Sequence, residues 1–220
     1  LLRNYQSKIT GTIKLVFQPD EEGFTGAKAM LKAGVLEQPV PEAGMALHVH
    51  SGTPSGLILC GQGTTMAGCT LFRISVKGIG CHGSTPEKGV DPVNIAAHII
   101  INLQEIIARE IPAVKPSVLT IGHVKAGFAY NVIPSEVLIE GTIRALEEDV
   151  RQELAKRIGE IAEATAKAFR GEAEYEMIWG EPPVINDAGM AKLAADCARD
   201  VVGDDIVLNH LDATTMGAEA

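Results

Sequence analysis

LFRISVK, residues 71–77, alternates Phe72, Ile74 and Val76 with Arg73, Ser75 and Lys77. That two-residue period marks a strand with one buried face and one wetted face. Asp91-Pro92 then predicts a helix start, with Asp capping the first free amides and Pro at the first helical position. The buried stripe expected on this helix is Val93, Ala97, Ile100, Leu103 and Ile107. Two more strands are expected at roughly 117–124 and 136–144. In the second, Val137, Ile139 and Ile143 face away from Glu140, Thr142 and Arg144. The helix expected over 147–170 carries Val150, Leu154, Ile158, Ile161, Ala164 and Ala168 at three- and four-residue steps. EAEYEMIW, residues 172–179, closes the set as a strand with Glu172, Glu174 and Glu176 on its wet face. The order β-α-β-β-α-β predicts a ferredoxin-like α+β unit, with helices on one face of an antiparallel sheet.

Upstream the pattern changes. TIKLVF, residues 12–17, is a near-continuous apolar run and predicts a short buried strand. The loop QPDEEGFTG follows, then a helical stretch GAKAMLKAGVL and a second strand at roughly 44–49. Strand, helix and strand at this spacing predict a parallel βαβ unit, which needs further strands from elsewhere to form a stable sheet. Residues 183–220 add a helix near 188–201 and a short strand that returns to this first layer. The expected organisation is an α/β domain made of 1–69 and 181–220, with 70–180 inserted between them. Neither end looks like a domain boundary: the chain opens without Met in LLRNYQ and stops just after TTMGAE.

At 220 residues, 46% apolar and 21% charged, the chain reads as an ordinary soluble globular protein. A net charge of −9 argues against a nucleic-acid partner, whose phosphates call for a basic face. No apolar run approaches a membrane span. Cys60, Cys69, Cys81 and Cys197 lie far apart with no CxxC pair, which suits reduced thiols in the cytoplasm better than disulfides or a cysteine-rich zinc site.

Four places are able to carry chemistry. Glu21-Glu22 follows the carboxyl end of the first strand, where open α/β sheets place their ligands. Adjacent carboxylates there suggest a metal that separates their roles, although Asp20, Glu21 and Glu22 equally describe a solvated turn whose charge favours the next helix. His48, at the end of the second strand, would converge with Glu22 as a ligand for zinc or another divalent ion. His50, two residues on, projects to the same side only if the strand continues. The loop KGIGCHGSTP, residues 77–86, holds His82 among glycines, as a functional loop or as a polar turn. Asn131, in YNVIP, fits a contact residue or turn chemistry, and Arg144 a carboxylate clamp or a surface charge. His98, His123 and His210 read as structural or exposed.

Taken together, FQPDEEGFTGAKAM, ALHVH, GIGCHGSTP, DPVNIAAHII, YNVIPSEVLIEGTIR and TTMGAE resemble, in order and spacing, the aminoacylase/carboxypeptidase family of co-catalytic metallopeptidases. The similarity is greatest to its branch of N-acyl-amino-acid amidohydrolases, hippurate hydrolases and auxin-conjugate hydrolases. It implies a metallopeptidase-type α/β/α catalytic domain with an inserted lid and dimerisation domain, and a homodimer formed through the insert. It implies two divalent ions per site in the parent enzyme, with Zn, Mn, Ni or Co all admissible. On this resemblance Glu21 is the general base toward a metal-activated water, and Glu22 and His48 are metal ligands. His82 helps stabilise the oxyanion, while Asn131 and Arg144 contact substrate. The resemblance also implies further ligands outside these 220 residues, so the chain by itself is expected to bind metal weakly and turn over nothing. The expected reaction is hydrolysis of an N-acyl amino acid. A dipeptidase or carboxypeptidase of the same family, or a non-catalytic binding protein on the same scaffold, are the alternatives.

Overall fold

A computed structural model of the chain describes residues 2–209 and 216–218. It separates into two compact units, divided between Thr53 and Pro54.

The larger unit begins with β1 (Ile58–Leu59) and β2 (Gly63–Met66). A ferredoxin-like run follows: β3 (Gly68–Lys77), short β4 (Cys81–His82), α2 (Pro92–Glu105), β5 (Ser117–Ala126), short β6 (Val132–Ile133), β7 (Glu136–Ala145), α3 (Glu148–Ala168) and β8 (Glu172–Glu181). Its four long strands form one sheet in the order β5-β7-β3-β8, every neighbouring pair antiparallel. The alternation in LFRISVK is kept: Phe72, Ile74 and Val76 are buried, opposite Gly141, Ile139 and Val137 on β7. Gly141 is required by this packing, because a Cβ there would come within 2.6 Å of the Phe72 ring. Ile95, Ile99 and Leu103 of α2 and Val150, Leu154 and Ile158 of α3 complete a single core against this face. Each fully buried side chain of this size contributes on the order of 2 kcal/mol.

The Asp91 carboxylate caps α2 as expected, accepting from Val93 N at 2.9 Å and Asn94 N at 3.3 Å, with Pro92 in the first turn. The helix phase differs from expectation. The buried stripe is Ile95, Ala96, Ile99 and Leu103, while Val93 and Ala97 are exposed and Ile100 is half-buried. Three consecutive isoleucines, Ile99 to Ile101, offer an apolar side in every direction, so packing on the sheet and α3 selects the phase. The second half of α3 also shifts: Ala162, Thr165 and Ala166 are buried in place of Ile161, Ala164 and Ala168. Small residues there let α2 approach, and Asn102 Nδ2 donates to Thr165 Oγ1 at 3.1 Å.

Beyond β8 come β9 (Val184–Asn186), antiparallel to β2, α4 (Ala188–Val202), and β10 (Val207–Leu208), parallel to β1. The boundaries expected near 69/70 and 180/181 fall just inside the ends of β3 and β8.

The smaller unit has one α-helix, α1 (Gly26–Lys32), within the predicted helical stretch. No strand forms over 12–17 or 44–49, so the expected parallel pair is absent from the described residues. Phe17 is 81% exposed and Leu47 94% exposed. The cause is the one parallel pairing imposes: such strands need neighbours on both sides, and none is present here. What holds the 12–17 segment instead is Lys14, whose Nζ donates to the carbonyls of Val35 and Pro39, each at 2.8 Å.

Candidate functional site

The turn that carries Glu21 and Glu22 is built by its neighbours. Asp20 and Phe24 adopt left-handed backbone angles, φ 51° and 57°, and Phe24 N donates to Glu21 O at 2.9 Å. Thr25 Oγ1 donates to the Asp20 carboxylate, so Asp20 is committed to the turn. Gly26 is needed where the chain doubles back, since a Cβ there would sit 1.5 Å from the Pro19 carbonyl oxygen. Glu21 is left half-buried and Glu22 exposed.

His48 is exposed, outside any helix or strand, with Nδ1 at 2.6 Å from the Val49 carbonyl oxygen. A carbonyl can only accept, so Nδ1 is the donor in this contact. His50 Nδ1 pairs with Thr53 Oγ1 at 3.0 Å. Glu22 and His48 fit a divalent cation in kind. Among the described residues, however, no group of three or more His, Cys, Asp or Glu is placed to hold one, so the donor set is not complete there.

In the larger unit the structure brings His82 and Asn131 together. β4 pairs with β6 in the register His82↔Val132, and Gly83 N donates to Asn131 O at 2.8 Å. The His82 loop is therefore clasped to the Asn131 turn. Within it, Ser84 N donates to His82 Nδ1 at 3.2 Å, and Ser84 Oγ lies 2.7 Å from the same nitrogen. A backbone amide can only donate, so Nδ1 is the acceptor and the neutral ring carries its proton on Nε2. Ser84 had no role in the sequence reading, and the only cue was its place two residues after His82.

Arg144 is half-buried on β7, and its Nη1 donates to the Met216 carbonyl at 3.0 Å. His98 stacks on Phe169 with ring centroids 4.5 Å apart. His123 Nδ1 pairs with Glu140 at 2.8 Å; this bond and one from Arg73 hold the Glu140 carboxyl below its ordinary range. Both histidines are exposed on the ferredoxin-like run, and His210 lies outside the described residues. All four cysteines are free thiols, and burial pushes the Cys69 thiol up. No helix among the described residues is long and apolar enough to cross a membrane.

Comparison with known proteins places this geometry in a class. Residues 65–170, the ferredoxin-like run up to the end of α3, match the peptidase dimerisation domain of the M20 type. The chain is 33% identical over 199 residues to the N-acetyl-L-cysteine deacetylase of Bacillus subtilis, covering 90% of the chain and 47% of that protein. It is 33% identical over 224 residues to the IAA-amino acid hydrolase ILR1-like 4 of Arabidopsis thaliana, covering 100% of the chain and 50% of that protein. A crystal structure from Bacillus subtilis, described as a dinuclear metal binding peptidase from the M20 family, superposes with a TM-score of 0.76. Its identity is 29%, over 99% of this chain and 54% of that one. The chain belongs to the M20 peptidase family. It spans about half the length of the curated relatives it matches.

Proposed function

We propose that the full-length protein is a metal-dependent amidohydrolase that cleaves the amide bond of N-acyl amino acids or similar conjugates. The observation that carries this reading is His82, clasped to the Asn131 turn, whose Nδ1 accepts from Ser84 N at 3.2 Å so that the neutral ring carries its proton on Nε2. That is the form of a donor to a developing oxyanion.

Glu22 and His48 would be two of the protein ligands to a pair of divalent ions, with zinc, manganese, nickel and cobalt all compatible with carboxylate and imidazole donors. When bound, such ions would supply Lewis acidity toward the amide carbonyl and toward the attacking water. Glu21 then takes the proton of the attacking water and passes it to the leaving nitrogen. The C–N bond breaks, giving a carboxylate and a free amino acid. His82 Nε2–H donates to the carbonyl oxygen as negative charge builds on it, a contribution of order 10²–10³ in rate for one such donor. Asn131, and Arg144 through the donors Met216 leaves it, would contact the substrate.

Residues 1–69 and 181–220 would belong to the catalytic domain, and 70–180 to the inserted lid and dimerisation domain. β5 is an edge strand of ten residues, and an exposed edge of this length favours pairing with a second copy. Four free thiols suit a cytoplasmic protein.

The test is an assay of the full-length protein for amino-acid release from N-acetyl and N-benzoyl amino acids, with divalent metal added or chelated. Release that stops with chelator is expected. No release from any substrate with metal bound would move the reading to a binding protein on this scaffold.

A further inference from the structure

Arg144 stands on β7 directly across from Cys69 of β3, at the point where the chain passes from β2 into the long sheet. Ala67, the residue between those two strands, is fully buried. A buried backbone amide needs a partner, and that of Ala67 finds it outside both ladders, donating to the Gly217 carbonyl at 2.8 Å. The next carbonyl back along the chain, that of Met216, is the one Arg144 holds at 3.0 Å. Two consecutive carbonyls of a segment far along the sequence are thus gripped, one by a buried amide and one by a guanidinium. The second bond is charge-assisted and half-buried, which places it among the stronger single hydrogen bonds. Met216 and Gly217 belong to TTMGAE, a motif whose sequence suggests only a turn.

We propose that Arg144 is a positioning residue: it pins the Met216–Gly217 main chain to the β2–β3 junction, and this pin is formed before any substrate arrives. Removing the guanidinium frees the Met216 carbonyl and leaves the Ala67–Gly217 bond to hold the segment alone. That bond then opens more often.

The inference rests on the amidohydrolase reading only for its kinetic arm. In the full-length, substrate-free protein, backbone hydrogen exchange is compared for wild type, Arg144→Met and Arg144→Lys. The Ala67 amide is expected to exchange about tenfold faster in Arg144→Met. The Ile74 amide, in the centre of β3, should exchange at the wild-type rate. Arg144→Lys keeps the charge and a donor, so it should recover most of the protection and serves as the decisive variant if Arg144→Met does not fold. The kinetic arm uses an N-acyl amino acid and the corresponding N-acyl amino-acid amide, which has no carboxylate. Arg144→Met should lower kcat for both, because a misplaced 216–217 segment is felt whatever the substrate carries. Unchanged Ala67 exchange, or equal acceleration at Ala67 and Ile74, overturns the pin. If wild type cleaves neither substrate, the functional reading fails while the exchange result still decides the role of Arg144.

Discussion

Two regions of this chain carry similar apolar strings and meet opposite fates. LFRISVK and EVLIEGTIR become central strands of a four-stranded sheet, with Phe72, Ile74, Ile139 and Ile143 fully buried. TIKLVF and GMALHV form no strand and stay largely exposed in the smaller unit, where Gly26 is the only buried residue described. Local sequence is as strand-like in one case as in the other. The larger unit supplies antiparallel partners and two covering helices within about a hundred residues of chain, a length consistent with an independent core. The smaller unit contains the two outer parts of a βαβ idea without neighbours for either strand. A strand is therefore a property of the sheet around it more than of its own residues.

The sharpest way to break this comparison is truncation on each side of it. In this 220-residue chain Leu154→Ala should cost about 3 kcal/mol, because the side chain is fully buried between helix and sheet. Phe17→Ala should stay within about 0.5 kcal/mol, as an exposed side chain has little packing to lose. Urea unfolding of both variants measures the contrast, and equal losses would show that the smaller unit has a core of its own.

Next in size is Arg151→Met. Arg151 is buried, donates to Thr70, and binds both Glu148 oxygens at 2.7 and 2.6 Å. Its removal should destabilise by about 2 kcal/mol, less than a fully buried pair because Glu148 retains contact with water. Tyr175→Phe should move stability the other way, a gain of about 1 kcal/mol, since the buried hydroxyl meets no hydrogen-bond partner among the described residues. The same burial pushes the Tyr175 hydroxyl up to about 12.

The smallest expected effect is on the acid limb. The Arg151 hydrogen bond holds Glu148 below its ordinary value of 4.5, so folding favours the ionised carboxylate. That contribution is complete above this value and fades as pH falls through the lowered one. Titrating stability in acid should show a shallower loss in Arg151→Met than in wild type.

Much of the larger unit was legible from the sequence because its signals are local. Alternation set the faces of β3 and β7, and the Asp91-Pro92 cap set the start of α2. The helix phases were not legible, because Ile99 to Ile101 offers several equivalent stripes and the choice belongs to tertiary packing. The candidate site is legible only as residue types: Glu21, Glu22, His48, His82, Asn131 and Arg144 stand out by motif. Their geometry was hidden. That Ser84 N donates to His82 Nδ1, and that His48 Nδ1 meets the Val49 carbonyl, depends on backbone groups no motif encodes. The commitment of Asp20 to Thr25 depends on a left-handed turn, where the sequence suggested only a solvated acidic turn.

The claim that organises the functional account is that Glu21 moves the proton of the attacking water. The direct measurement is kcat for release of the amino acid from an N-acyl amino acid by the full-length protein, in wild type and in Glu21→Gln, with metal content measured in both. The account predicts equal metal content and a rate at least about a hundredfold lower in the variant. Equal rates at equal metal content would contradict it.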